Sequence, residues 1–90
     1  MERLERSFTV VNSLGLHARP AAMIVQTANR FRSDISFEKD GLQVNAKSIM
    51  GVLTLAAAKG ATVLVACEGE DAAAALDALA RVFESGFGER

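Results

Sequence analysis

The chain has 90 residues and a mass of 9.5 kDa, the size of one small domain, and half of its residues are hydrophobic. Ten Lys and Arg residues nearly balance eleven Asp and Glu residues, which argues against a nucleic-acid-binding domain with its strong basic excess. A single Cys and a single His exclude an internal disulfide and a structural zinc site. Residues 1–6 lack the apolar core of a signal peptide, and no apolar run approaches the roughly 18 residues of a spanning helix. We therefore expect one cytoplasmic domain over residues 1–90, with no membrane insertion.

The first strand and the first helix are predicted from two different apolar periods. Residues 7–12 (SFTVVN) place Phe8 and Val10 on one face of a strand. Between residue 18 and about residue 31, apolar side chains recur at helical spacing. Pro20 lies in the first turn of that helix, where its missing N–H group leaves no hydrogen bond unmade.

A hairpin is predicted to follow the first helix. Ile35 and Phe37 alternate with polar residues in a second strand, and residues 42–46 alternate in a third. Asp40-Gly41 lies between them and favours a two-residue turn in which both residues have positive φ.

Ser48 is expected to cap a second helix over residues 49–57, which Lys59-Gly60 would end. This segment is apolar on every side, which is unusual for a surface helix. Val52 and Leu55 are predicted to face the core.

A fourth strand and a third helix complete the pattern. Residues 62–67 form the strand, in which Cys67 faces inward and is expected to be a buried, unreactive thiol. Residues 71–84 carry a helical apolar stripe, and Gly86 suits the position after the helix. The order is βαββαβα, so the helices should cover one face of an antiparallel or mixed sheet.

His17 immediately precedes the first helix, and this position favours anion chemistry. The free N–H groups of a first helical turn attract phosphate, and Arg19 could add two hydrogen bonds to its oxygens. Gly15 would let the backbone approach closely. The positive surroundings are expected to keep the imidazole neutral and nucleophilic. A nucleophile beside an anion cradle suits reversible phosphoryl transfer, although a surface His placed there by accident is the commoner case.

Two further features admit a functional reading beside a structural one. Ser48 is expected to act as an N-cap and is also a candidate for phosphorylation. Ile49, Met50 and Leu53 either pack in the core or form an apolar contact patch. Charge is also uneven: no Asp or Glu occurs between Arg6 and Asp34, which is either chance or a surface for an acidic partner.

Two segments of the chain resemble the motifs of one family. Residues 15–22 (GLHARPAA) are similar to the active-site signature of HPr, the histidine phosphocarrier of the bacterial phosphoenolpyruvate-dependent phosphotransferase system. Residues 47–55 (KSIMGVLTL) resemble its regulatory serine segment, at the family's spacing. The resemblance implies an α+β open-faced β-sandwich, in which three helices cover one face of a four-stranded antiparallel sheet.

The resemblance also implies roles for residues. His17 would accept a phosphoryl group on Nδ1 from Enzyme I and pass it to an Enzyme IIA histidine, without cofactor or metal and without acting as an enzyme. Arg19 and the backbone of Ala18 and Arg19 would hold the phosphate. Ser48 would be the target of an HPr kinase/phosphorylase. The implied docking surface consists of Ala22, Met23, Gln26, Ile49, Met50 and Leu53. We expect a monomer.

The pathway branch and two other functions stay open at this point. Residues 12–15 and 83–87 are similar to the nitrogen-regulatory carrier NPr, whereas residues 47–51 are closer to kinase-regulated HPr of sugar uptake. One alternative is a regulatory module that binds partners through the second helix and transfers nothing. A small hydrolase built on His17 and Cys67 is a weaker one, because no orienting acid is evident in the sequence.

Overall fold

Four strands pair in the order β1-β4-β2-β3, and every neighbouring pair is antiparallel. The computed structural model describes residues 2–89. Its elements are β1 (Arg3–Thr9), α1 (Ala18–Ala28), β2 (Asp34–Lys39), β3 (Leu42–Asn45), α2 (Ile49–Thr54), β4 (Thr62–Glu68), α3 (Ala72–Glu84) and a 3₁₀ turn (Gly86–Gly88). Helix α1 packs against α2 and α3, while α3 packs on β1 and β4 and α2 packs on β3. The predicted α+β open-faced β-sandwich with βαββαβα order is therefore confirmed.

Phe83 of α3 lies at the centre of the core. Its ring stacks on Phe8 of β1 at 5.1 Å between centroids and lies 5.8 Å from Phe37 of β2. Phe87 of the terminal 3₁₀ turn meets it edge-on at 5.2 Å. These buried aromatic pairs join the sheet, the third helix and the end of the chain into one core. The predicted core positions Val52, Leu55, Val63, Val65 and Cys67 are all buried.

The first strand begins and ends earlier than the sequence predicted. It pairs with β4 from Arg3 opposite Glu68 to Thr9 opposite Thr62, instead of spanning residues 7–12. As an edge strand it leaves one flank to solvent, so charged side chains are tolerated and hide the apolar alternation. Val10 is still buried as expected, and its N–H donates to the Ala61 carbonyl at 2.9 Å.

The first helix ends at Ala28 and not near Phe31. The N–H groups of Arg30 and Phe31 donate to the carbonyls three residues back, which tightens the chain into a turn. Lys47 Nζ then donates to the Phe31 carbonyl at 2.7 Å. The polar side chains of this segment compete with the helix for backbone hydrogen bonds. The spacing of the apolar residues alone does not reveal this competition.

The hairpin turn has the geometry that its residues predicted. Asp40 and Gly41 both adopt positive φ, 52° and 82°, as a two-residue turn with the twist of the strands requires. Ser48 likewise caps α2 as predicted, because its Oγ accepts from the Gly51 N–H at 3.1 Å.

The second helix is shorter than predicted. It ends at Thr54, because Ala56 adopts a left-handed conformation with φ 49° that a helix cannot continue. The segment predicted as its last turn, up to Lys59-Gly60, is instead a loop that leads to β4. Within the described residues, no helix is long and apolar enough to cross a bilayer.

Asp71, just before α3, joins two distant parts of the chain. Its carboxylate accepts from the Ser33 hydroxyl at 2.5 Å and from the N–H groups of Arg32 and Ser33, each at 2.9 Å. The Ser33 hydroxyl bond, followed by the Arg32 backbone bond, lowers the pKa of Asp71 to about 2.

Candidate functional site

His17 is the N-cap residue of α1. Its backbone is extended, with φ −77° and ψ −169°, and its carbonyl accepts the first helical hydrogen bond from the Ala21 N–H at 3.0 Å. The side chain makes no capping bond. It is 37% exposed, so the ring is held at the helix start yet remains open to a partner.

The first turn of α1 offers unpaired donors next to this ring. The N–H groups of Ala18 and Arg19 precede the first intrahelical bond, and Pro20 has no N–H group. Both residues are exposed. Within residues 2–89 the Arg19 guanidinium makes no hydrogen bond or ion pair, so it is free to meet an anion. The predicted combination of His17, Arg19 and free backbone donors is thus brought together.

A carboxylate that sequence reasoning missed contacts the ring directly. Glu89 Oε1 lies 2.7 Å from His17 Nε2, although the two residues are 72 positions apart in the chain. The expectation that the ring has only positive surroundings is therefore wrong, since a carboxylate contacts Nε2 directly.

Asn12 donates to the same Glu89 carboxylate oxygen that contacts His17. Its Nδ2 donates at 2.8 Å to Glu89 Oε1 and at 2.8 Å to the Gly15 carbonyl, while the residue is fully buried. The hydrogen bond from His17 is the strongest influence that lowers the pKa of Glu89, and the bond from Asn12 and the charges of His17 and Arg19 add to it against desolvation. Glu89 is therefore a carboxylate at neutral pH.

Cys67 cannot serve as a nucleophile at this site. It lies fully buried in the central strand β4, paired with Leu4 and Ile35 on the flanking strands. Burial, with a smaller contribution from the Asp71 charge, raises its pKa to about 11. The thiol thus stays protonated, and the hydrolase alternative loses its second group.

A depression on the open face of the sheet, lined by residues such as Ser36, Gln43 and Asn45, does not include His17. Among residues 2–89, no three His, Cys, Asp or Glu side chains are grouped to hold a metal ion. The His17 ring itself is open to solvent.

The comparisons with known proteins agree with this geometry. Residues 4–85 match the family model described as "PTS HPr component phosphorylation site". The chain belongs to the HPr family. It is 49% identical over 86 residues to phosphocarrier protein HPr of Xylella fastidiosa, covering 96% of this chain and 97% of the relative. It is 58% identical over 66 residues to the HPr-like protein Crh of Bacillus subtilis, covering 73% and 78%.

Solved structures match as well. The chain superposes on HPr-C-His from Thermoanaerobacter tengcongensis with a TM-score of 0.93 at 48% identity, covering 97% of this chain and 98% of that one. An HPr from the same organism described as a dimer gives a TM-score of 0.78 at 53% identity, covering 83% and 86%. HPr proteins are phosphocarriers of the phosphotransferase system and not enzymes, so the predicted family and its class of activity are confirmed.

In this HPr-family chain, the residues predicted to form the docking surface lie on α1 and α2, two helices that pack together. Met50 is 71% exposed and Ile49 is 43% exposed, whereas Leu53 is half-buried. On α1, Gln26 is exposed and Ala22 and Met23 are half-buried. The apolar character of α2 is thus divided between the core and this surface.

Leu14 is a large exposed apolar residue that was not predicted as a contact residue. It is 74% exposed and lies three positions before His17 in the loop that leads to the ring. The signal in the sequence was a large apolar residue between Ser13 and Gly15 in a short connection. Exposure of such a side chain beside the candidate site suits contact with a partner.

Proposed function

We propose that this protein carries phosphoryl groups on His17, accepting them from phosphorylated Enzyme I and passing them to a histidine of an Enzyme IIA protein or domain. The observation that carries the proposal is the exposed His17 ring at the start of α1, together with the exposed Arg19 and the free N–H groups of the first turn. These groups can hold an incoming phosphoryl group, and positioning with charge stabilisation is most of what its transfer requires.

The proposed transfer exchanges one phosphorus–nitrogen bond for another. The lone pair of His17 Nδ1 attacks the phosphorus of the donor phosphohistidine, and the donor's P–N bond breaks with its electron pair returning to the donor ring. Arg19 and the N–H groups of Ala18 and Arg19 neutralise the phosphoryl oxygens. Because reactant and product are both phosphohistidines, little free energy separates them, and the reverse geometry serves transfer to Enzyme IIA.

Partners are proposed to dock on the surface formed by Leu14 and the exposed residues of α1 and α2. The exposed Met50 has a flexible apolar side chain that can adapt to different partners. A carrier must release each partner quickly, which favours a small interface. We propose that the transferring form is a monomer, and light scattering across a concentration series tests this against the dimers described for some relatives.

Ser48 is proposed as a regulatory phosphorylation site for an HPr kinase/phosphorylase. Its hydroxyl begins α2 and lies one residue before the exposed Ile49 and two before Met50. A phosphate here would place up to two negative charges beside an apolar docking surface, which disfavours partner binding. The effect is expected on docking and not on the fold, because a phosphate oxygen can still accept the Gly51 N–H.

Labelling with radioactive phosphoenolpyruvate and Enzyme I tests the main proposal. The chain has one histidine, so an acid-labile, base-stable label points to His17 alone. We expect His17→Ala to fold normally and to take up no label. The matched control is Asn29→Ala, which changes an exposed residue at the other end of α1 and should leave labelling intact. Undiminished labelling of the His17 variant would remove His17 from the proposal.

A second candidate function is that of a regulatory module that binds partners without transfer. The similarity to Crh, described as the Bacillus subtilis catabolite repression HPr, supports it. Wild-type protein that binds through α2 but is never labelled would favour this function.

If the protein is labelled instead, adding purified sugar-type and nitrogen-type Enzyme IIA proteins separates the two pathway branches, since the branch served is the one whose protein receives the label.

A further inference from the structure

We propose that Glu89 is a positioning residue for phosphoryl transfer, which holds a proton on His17 Nε2 and thereby leaves Nδ1 as the reacting nitrogen. The inference rests on the proposed role of His17 as phosphoryl acceptor. It concerns a residue outside the two motifs that resemble the family, at the far end of the chain. It is carried by the contact of Glu89 with the ring and by the buried amide that fixes the carboxylate.

The direction of the hydrogen bond follows from chemistry. A carboxylate can only accept hydrogen bonds, so at 2.7 Å from Glu89 Oε1 the Nε2 atom of His17 must carry the hydrogen. In the neutral ring, the other nitrogen then has the free lone pair. Within residues 2–89 this is the ring's one hydrogen bond, and Nδ1 is left open. The contact therefore selects the nitrogen that can attack phosphorus.

Asn12 makes the position of the carboxylate unambiguous. Both hydrogens of its Nδ2 are used, one on Glu89 Oε1 and one on the Gly15 carbonyl. Turning the amide over would set its Oδ1 against two acceptors, so only one orientation suits the site. Among residues 2–89, Asn12 Oδ1 is buried and has no hydrogen-bond partner, which is an unusual arrangement in a core. It is explained if the amide is needed for Glu89.

The backbone conformation and core packing of residues 86–89 place Glu89 against the His17 ring. Phe87 adopts a left-handed backbone with φ 58°, uncommon for a large side chain, and its buried ring packs edge-on against Phe83. The Glu89 N–H closes the turn on the Gly86 carbonyl at 3.1 Å. Glu89 is then only 18% exposed, so a residue near the chain end is held in place by the core.

The same contact acts after transfer. Attack by Nδ1 makes a P–N bond while the hydrogen stays on Nε2, so the phosphorylated ring carries a positive charge until that proton leaves. The negative Glu89 carboxylate stabilises this positive charge, while Arg19 remains available for the phosphoryl oxygens. Glu89 thus stabilises the orientation of the acceptor and the charge of the product ring.

Nitrogen-15 NMR of the single imidazole tests the positioning role without any transfer reaction. In wild type we expect the neutral ring to be protonated mainly on Nε2. Glu89→Ala should shift the ring toward a mixture of the two tautomers. Glu89→Gln should keep the wild-type tautomer, because the amide oxygen can accept from both Nε2 and Asn12 Nδ2. Glu70→Ala, which removes an exposed carboxylate before α3, is the matched control.

Transfer kinetics complete the test. We expect Glu89→Ala to accept label from phosphorylated Enzyme I about tenfold more slowly, a loss typical of a poorly oriented group, with Glu70→Ala unchanged and all variants equally folded by circular dichroism. If wild type is labelled but Glu89→Ala keeps both its tautomer and its rate, this inference fails alone. If wild type is never labelled on His17, the proposed function fails and takes the inference with it.

Discussion

The carbonyl oxygen of Ala57 lies 2.5 Å from the point that a Cβ atom on Gly15 would occupy. The same carbonyl accepts from the Leu16 N–H at 2.9 Å, and Leu16 is buried. The loop that leads to His17 is thus tied to the segment that follows α2. This contact explains why the residue two positions before His17 is a glycine with φ +70°.

Gly15→Ala is expected to lower the free energy of unfolding by more than the roughly 1–2 kcal/mol that a left-handed backbone costs a residue with a side chain, because the Ala57 backbone must also move. Gly41→Ala is a matched control: it too has positive φ, 82°, but no atom lies within 4 Å of its added carbon. Urea denaturation of both variants checks this, and equal losses would contradict the close approach.

Arg19→Ala is expected to slow transfer to and from His17 by roughly tenfold to a hundredfold, because a hydrogen bond to a charged group contributes about 1.5–3 kcal/mol. Quenched-flow labelling measures both directions. Arg30→Ala, just beyond the other end of α1 and also exposed, should transfer at the wild-type rate. A rate for the Arg19 variant equal to that of the Arg30 variant would remove Arg19 from phosphate binding.

Met50→Glu is expected to weaken binding of Enzyme I at least tenfold. The substitution puts a charge where the Met50 side chain would bury apolar surface against the bound partner. Calorimetric titration measures the dissociation constant. Leu42→Glu makes the same kind of change on β3, where the side chain is 44% exposed but outside the docking surface. Similar affinities for the two variants would place the interface elsewhere.

Ser48 variants separate the cap from the charge. Ser48→Ala should lose about 1 kcal/mol of stability, whereas Ser48→Asn and Ser48→Asp keep an oxygen for the Gly51 N–H. Only Ser48→Asp should also reduce affinity for Enzyme I, by charge alone. Thermal melts and binding titrations on the three proteins check this. A loss of affinity in Ser48→Asn as large as that in Ser48→Asp would show that the charge is not the cause, whereas an equal loss in Ser48→Ala would point to the cap.

The Asp71 clamp should make stability depend on pH in acid. Its pKa is about 2 in the folded protein against an ordinary value near 3.8, so its stabilisation is complete above about pH 4 and is lost as the pH falls toward 2. The difference in unfolding free energy between wild type and Asp71→Asn should therefore shrink over that range. Asp77→Asn, an exposed change within α3, provides the comparison, and a difference constant with pH would refute the clamp.

Several features of this fold follow from the chemistry of residues that are neighbours in the sequence. Asp40 and Gly41 specify their turn because few other pairs tolerate positive φ twice in succession. Ser48 specifies the start of α2 because its hydroxyl satisfies an N–H group three residues on. Boundaries that depended on pairing were harder. The first strand extends to Arg3 only because β4 is there to pair with it.

From the sequence itself came the fold class, the helix that begins after His17, and the grouping of that His with Arg19 and two free backbone donors. All of these lie within a few residues of one another, so local geometry places them together. The tertiary structure alone decided that the Glu89 carboxylate reaches the ring and that Asn12 holds this carboxylate. No local pattern could show this, because contacts between residues 72 positions apart exist only once the Phe83–Phe87 packing has folded the chain end back.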